Sequence, residues 1–63
     1  MNMYNVHLKN GRIVEVESQK NAVGGGSIKF YNDRASLAEQ YLNGPEVIAT
    51  FNLDDISYFI KQK

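Results

Sequence analysis

The chain has 63 residues, no cysteine and a single histidine, and its seven basic residues balance its seven acidic ones. A chain this short forms one domain and buries only about 60% of the surface that its unfolded form exposes. The missing cysteines exclude disulfides and thiolate metal sites, and the zero net charge disfavours a nucleic-acid backbone as the main partner. No apolar run is long enough for a transmembrane helix, and the first residues lack the pattern of a secretory signal. We therefore expect a cytoplasmic protein without membrane association.

The segment LKNGRIVEVE predicts a β-hairpin with a three-residue loop over residues 9–11. Residues directly opposite in an antiparallel pair share a face of the sheet. A two-residue turn would place Glu15 opposite Val6 and mix polar and apolar residues on both faces. The three-residue loop instead pairs Val6 with Val14, and it puts Gly11 where such a loop needs a positive φ. The inward face then carries Tyr4, Val6, Leu8, Val14 and Val16.

The outward face of this hairpin is the first candidate surface. His7 beside Glu15 could act as a general base, and Glu15 and Glu17 stand ~7 Å apart, a separation that suits a carboxylate pair or a cation site. No nucleophile or further ligand accompanies them, so a solvated strand face is the simpler interpretation. We predict no catalytic residue, no metal site and no cofactor. The outward residues are Met3, Asn5, His7, Ile13, Glu15 and Glu17.

Residues 18–27, SQKNAVGGGS, contain three successive glycines. Glycine carries high backbone entropy and no side chain to pack, which predicts a flexible loop over residues 19–27. The alternation in SIKFYN then predicts a third strand. Ile28 and Phe30 point inward from it, and Lys29 and Tyr31 point outward.

Residues 33–43 predict the one helix of the chain. Asp33 or Ser36 can cap its N-terminus, and Gly44 followed by Pro45 ends it. Its apolar stripe should lie on the sheet, because a helix this short needs tertiary packing to be stable. The stripe consists of Leu37, Ala38, Tyr41 and Leu42.

Two strands follow the helix, EVIATFNL and ISYFIK, separated by a turn at residues 54–55. We predict that Phe59 points outward. The inward residues should be Val47, Ala49, Phe51, Leu53, Ile56, Tyr58 and Ile60. The order β-β-β-α-β-β predicts one α+β domain over residues 1–63, either a small, strongly bent antiparallel sheet or a small barrel of the SH3 or Sm type, which would have no exposed edges.

The segments YNVHLKNGRIVEVES and VIATFNLDDISYFIK resemble the first and last strands of short uncharacterised proteins from Gram-positive phages and other mobile elements. The shared pattern is an LKNG hairpin, a middle helix and an aromatic-rich last strand. This resemblance implies an accessory role, such as modulating a host protein or a host defence system. It carries over no catalytic residue.

Apolar residues left on outward strand faces predict a non-enzymatic protein–protein interaction module, which binds a protein partner or a second copy as a homodimer. The predicted partner surface is His7, Ile13, Glu15, Glu17, Tyr58 and Phe59. The alternative is a nucleic-acid-binding small barrel that uses Lys9, Lys29 and Tyr31. A third hypothesis is a small-ligand-binding oligomer, since a chain of about 60 residues rarely encloses a pocket of ~300 Å³ alone.

Overall fold

The structure, a computed structural model that describes residues 1–62, contains six strands, one α-helix and one 3₁₀ turn. The strands form two antiparallel sheets, which we call the first sheet (β2-β1-β6) and the second sheet (β3-β4-β5). Four strands precede the helix where three were predicted, and the additional strand is β3. The elements are β1 (Asn2–Leu8), β2 (Ile13–Ser18), β3 (Lys20–Gly24), β4 (Ser27–Asn32), α1 (Leu37–Asn43), β5 (Glu46–Asn52), the 3₁₀ turn (Leu53–Asp55) and β6 (Ile56–Lys61).

The β1–β2 hairpin has the predicted three-residue loop. Val6 lies opposite Val14. The Leu8 amide donates to the Arg12 carbonyl at 2.8 Å, and the Gly11 amide donates to the Leu8 carbonyl at 3.0 Å. Gly11 has a φ of 91°, the positive value that this loop requires at its last position. The predicted register is confirmed, and with it the division of β1 and β2 into inward and outward faces.

We expect Gly11→Val to lower the free energy of unfolding by about 1–2 kcal/mol, because a β-branched side chain resists a positive φ. No heavy atom lies within 4 Å of the position that a Cβ would take, so the cost is backbone strain and not a clash. Gly11→Asn is the matched control and should lose less, since asparagine tolerates the left-handed region. Urea denaturation measures both. Equal midpoints for wild type and Gly11→Val would contradict the loop.

The chain passes from the first sheet to the second at Gln19, the single residue between β2 and β3. We call this junction the corner. Ser18 and Asn32 are buried there. The Ser18 hydroxyl donates to the Lys20 carbonyl at 3.1 Å, and the Gln19 amide donates to the Asn32 side-chain oxygen at 2.7 Å. Buried polar groups are costly unless they are hydrogen-bonded, so these bonds stabilise the corner.

The predicted flexible loop over residues 19–27 is instead a strand and a tight turn. Gly24 pairs with Ser27 across the turn. Gly25 and Gly26 have φ values of 61° and 78°. Two central residues at positive φ are the requirement of a type I′ hairpin turn, which glycine meets without strain. β3 and β4 are therefore joined by an ordered hairpin connection.

The core lies between the inner faces of the two sheets, and Phe30 is at its centre. Its ring centroid is 5.1 Å from that of Tyr4 in the first sheet, 5.7 Å from Phe59 and 6.0 Å from Phe51. Within residues 1–62, β5 and β6 do not pair with each other, so the sheets do not close. The α+β class is confirmed and the small barrel of the SH3 or Sm type is wrong. The buried apolar residues are Tyr4, Val6, Val16, Ile28, Phe30 and Ile56.

The helix differs from the prediction in both extent and packing. It spans Leu37–Asn43 and not residues 33–43, and Ser36 is its N-cap. The Glu39 amide donates to the Ser36 hydroxyl oxygen at 3.4 Å. None of the residues in Leu37–Asn43 is buried. The prediction that the apolar stripe packs on the sheet is therefore wrong.

A shift in the pairing of β4 with β5 puts Val47 on the face of the sheet opposite to the predicted one. The register between β4 and β5 shifts after Phe30, so that Tyr31 lies opposite Val47 and both belong to the outer face of the second sheet. Val47 was predicted to point inward. Ala49 and Phe51 do pack against the core as predicted. Leu53 was predicted inward too, but it opens the 3₁₀ turn and is exposed.

Candidate protein-binding surface

The outer face of the first sheet brings together most of the residues that the sequence singled out. We call it the outer β1 surface, because β1 is its central strand. Cross-strand pairing arranges its side chains in rows, since directly opposite residues share a face. Its members are Met3, Asn5, His7, Ile13, Glu15, Glu17, Tyr58 and Ile60.

One row of this surface is apolar and aromatic. His7 lies opposite Ile13 on one side and opposite Tyr58 on the other. The His7 and Tyr58 rings are stacked, with centroids 4.2 Å apart and planes inclined by 15°. Ile13 is 58% exposed and Tyr58 is 51% exposed. The stacked pair is a flat, preorganised contact area with an isoleucine beside it, and aromatic residues of this kind are enriched at protein interfaces.

The next row changes from acidic to apolar across the sheet. Asn5 lies between Glu15 and Ile60. The Gln62 side-chain amide donates to the Asn5 side-chain oxygen at 2.8 Å, which orients that asparagine. Glu15 and Glu17 both stand on β2, an edge strand of the first sheet. The surface therefore has an apolar area towards β6 and an acidic border along β2.

Phe59 does not belong to the outer β1 surface, and its predicted outward position is wrong. It lies opposite Val6 and packs against the core, 6.2 Å from the Tyr4 ring by centroids. The register between β1 and β6 shifts after His7, so that Leu8 lies opposite Ile56. This irregularity allows Ile56 and Phe59, three positions apart, to face the same side.

The predicted inward positions of Tyr58 and Ile60 are wrong for the same reason. Both lie on the outer β1 surface and are exposed. Met3, Asn5 and Ile60 were missing from the predicted partner surface. Strict alternation along ISYFIK gave no sign of the shift, which only the pairing of Phe59 with Val6 in the structure reveals.

The residues of the nucleic-acid alternative are divided between the two sheets. Lys29 and Tyr31 line an open groove of about 570 Å³ on the outer face of the second sheet, and that groove also contains Asp33. Lys9 lies in the β1–β2 loop and lines a different groove with Asp54 and Asp55. Each lysine thus has a carboxylate in its surroundings, which weakens attraction to phosphate.

The groove beside Lys29 is bordered by an ion pair between Lys20 and Asp33. The Lys20 ammonium is 2.7 Å from the Asp33 carboxylate. The hydrogen bond to Asp33, followed by the attraction between the two charges, raises the pKa of Lys20 above its ordinary value. Both side chains are about half exposed, so the pair contributes little to stability. It does neutralise one of the basic groups near this face.

Asp54 and Asp55 have local structural roles. The Asp54 amide donates to the Asn52 side-chain oxygen at 3.3 Å, and the Lys9 amide donates to the Asp55 carbonyl at 2.9 Å. The first bond caps the 3₁₀ turn, and the second holds the turn against the hairpin loop. Across residues 1–62, no group of three or more metal-binding side chains comes together.

The chain matches no family model, no curated protein and no solved structure. The resemblance to phage and mobile-element proteins therefore has no matching relative to support it. In the part of the chain that the structure describes, no helix is long and apolar enough to cross a membrane.

Proposed function

We propose that the protein is a non-enzymatic binding module that recognises another protein through the outer β1 surface. The observation that carries the proposal is the exposed row of Ile13, His7 and Tyr58, in which an ordered aromatic stack and an isoleucine lie on one rigid strand face. Binding energy in protein interfaces concentrates in a few aromatic and aliphatic anchors held in this way. An anchor on paired strands loses little conformational entropy when it is covered.

The charges around the row define the partner. Glu15 and Glu17 form an acidic border on one side only, so the complementary surface has an apolar depression with lysine or arginine beside it. The resemblance to proteins of phages and mobile elements favours a host protein as this partner. The acidic border should mainly govern the rate at which the partner associates. The row of Ile13, His7 and Tyr58 should mainly govern how long the complex lasts.

The proposal is tested by affinity capture from a cell extract with wild-type protein and with the double variant Ile13→Ser, Tyr58→Ser. We expect the double variant to lose the captured protein, with binding at least about 30-fold weaker, since the loss of even one anchor worth about 2 kcal/mol has that effect. Both residues are exposed, so the variant should keep the wild-type fold, which an amide NMR spectrum checks. Lys29→Ala, on the outer face of the other sheet, is the matched control and should bind as wild type does.

The dependence of binding on salt concentration distinguishes this proposal from nucleic-acid binding. An apolar interface should survive a several-fold increase in salt, whereas phosphate contacts weaken steeply. Nuclease-sensitive capture that also requires Lys29 would contradict the proposal. So would an identical set of captured proteins for wild type and the double variant.

A further inference from the structure

The amphipathic helix α1 presents its apolar side chains to solvent. Leu37, Tyr41 and Leu42 stand at positions i, i+4 and i+5, so they share one face of the helix. They are 89%, 90% and 76% exposed, respectively. A surface helix ordinarily turns such a stripe towards the core of its own domain. We call these three residues, together with the exposed Ala38 between them, the α1 stripe.

The opposite, polar face of α1 is turned towards the protein. Gln40 and Asn43 line the groove on the outer face of the second sheet. The Gln40 side-chain oxygen accepts the Arg34 amide at 2.8 Å, and the Arg34 Nε donates to the Gly44 carbonyl at 3.1 Å. These bonds join the residues before α1 to the end of the helix, within the segment that connects β4 and β5. The helix is thus held by polar contacts in the reverse of the usual orientation.

The whole chain is more extended than a monomer of its size. Its accessible surface is 4539 Å², whereas a folded monomer of this mass exposes about 4,100 Å². Its radius of gyration is 12.6 Å, against about 10.6 Å for a compact domain of this length. A helix of seven residues is too short to be stable without packing. Covering the α1 stripe would remove both the excess surface and the weakness of the helix.

We propose that the α1 stripe binds the α1 stripe of a second copy of this chain, forming a two-fold symmetric dimer. A two-fold interface brings the same patch together from both copies, so an apolar stripe complements itself. The three exposed side chains present on the order of 500 Å² per copy, taking ~200 Å² for the tyrosine. A standard interface covers about 800 Å² per partner and weak ones cover less, so the stripe and its surroundings are large enough for a weak dimer.

The charges of the chain favour a second copy as the occupant. The net charge is zero, so two copies do not repel each other over distance. Glu39 is the one charged residue in Leu37–Asn43 and is not a member of the α1 stripe, so the stripe itself brings no like charges together. This inference uses a surface separate from the outer β1 surface and does not rest on the function proposed above.

The test is sedimentation equilibrium over a range from low to high micromolar protein. Wild type should change from a mass near 7.1 kDa towards twice that value. The double variant Leu37→Gln, Leu42→Gln should remain monomeric, with self-association at least tenfold weaker. Glutamine has nearly the helix propensity of leucine, so the change removes apolar surface and keeps the helix. Glu39→Gln, on the same helix but off the stripe, is the matched control and should dimerise as wild type does.

Three results would overturn the dimer: wild type that stays monomeric at the highest concentration, a dimer that persists in the Leu37→Gln, Leu42→Gln variant, or a dimer abolished by Ile13→Ser, Tyr58→Ser and not by the α1 variant. Capture of a foreign protein that requires Leu37 and Leu42, from wild type that is itself monomeric, would also reject a second copy as the occupant. Loss of dimerisation with retained capture through the outer β1 surface would support both proposals separately.

Discussion

Phe30→Ala should lower the free energy of unfolding by about 3–5 kcal/mol, the usual cost of truncating a buried phenylalanine. Phe30 is fully buried, and its ring packs against Tyr4 from the first sheet and against Phe51 and Phe59. A domain of this length has only about 3–9 kcal/mol of stability in total. We therefore expect a largely unfolded variant, seen as loss of amide dispersion in NMR spectra and of the cooperative urea transition.

Lys29→Ala is the control for this experiment. Lys29 is the preceding residue on the same strand, but it points to the outer face and is exposed. Its loss should change stability by no more than about 0.5 kcal/mol. If Phe30→Ala unfolded at the urea concentration of wild type, the two sheets could not share the core described here.

The double change Gly25→Val, Gly26→Val should lower the free energy of unfolding by about 2–4 kcal/mol. Both glycines have a positive φ in the β3–β4 turn, and each valine would pay about 1–2 kcal/mol to adopt it. No atom lies within 4 Å of either position, so backbone conformation is the cause. The measurement is urea denaturation with circular dichroism.

Gly24→Val is the matched control, because Gly24 lies in the same glycine run but within β3, at a φ that side chains tolerate. It should be neutral or slightly stabilising, since valine favours strands. A flexible connector would tolerate valine equally at all three positions. That outcome would reject the ordered hairpin and restore a loop between β2 and β4.

The two proposed surfaces have different physical origins. The outer β1 surface is a rigid strand face, whose row of Ile13, His7 and Tyr58 is ordered before any partner arrives. The α1 stripe belongs to a short helix that would gain further stability from being covered. A module built this way could dimerise through α1 and leave the outer β1 surface of each copy free for a protein partner.

Rules of residue pattern and turn geometry were sufficient to predict the structure where only one strand register separated apolar from polar side chains. The β1–β2 hairpin could be predicted because only the loop over residues 9–11 kept Glu15 away from Val6, and because Gly11 stood where a positive φ was needed. The outward positions of His7, Ile13, Glu15 and Glu17 followed from that register. The sequence left Asp33 and Ser36 as alternative N-caps, and the structure has the cap at Ser36, where a local hydrogen bond forms.

Where those rules were misapplied, the sequence still contained a usable signal. Two alternating segments flank Gly25-Gly26, and a Gly-Gly pair in that setting is a hairpin signal as well as a linker signal. The three successive glycines favoured the linker interpretation. Counting the turn from Gly25 and Gly26 would have predicted β3.

Tertiary structure alone decided the faces of β6 and α1. Strict alternation in ISYFIK would put Phe59 and Ile56 on opposite faces of the sheet. The pairing of β6 with β1 instead shifts by one residue, so both side chains face the core. The shift is favourable because it adds the Phe59 ring to the cluster around Phe30, a contact between residues distant in sequence. The amphipathic pattern of α1 was recognisable from residue spacing. Which side of the helix faces the protein is set by hydrogen bonds of Arg34 and Gln40 at the base of the segment between β4 and β5, and residue spacing does not reveal them.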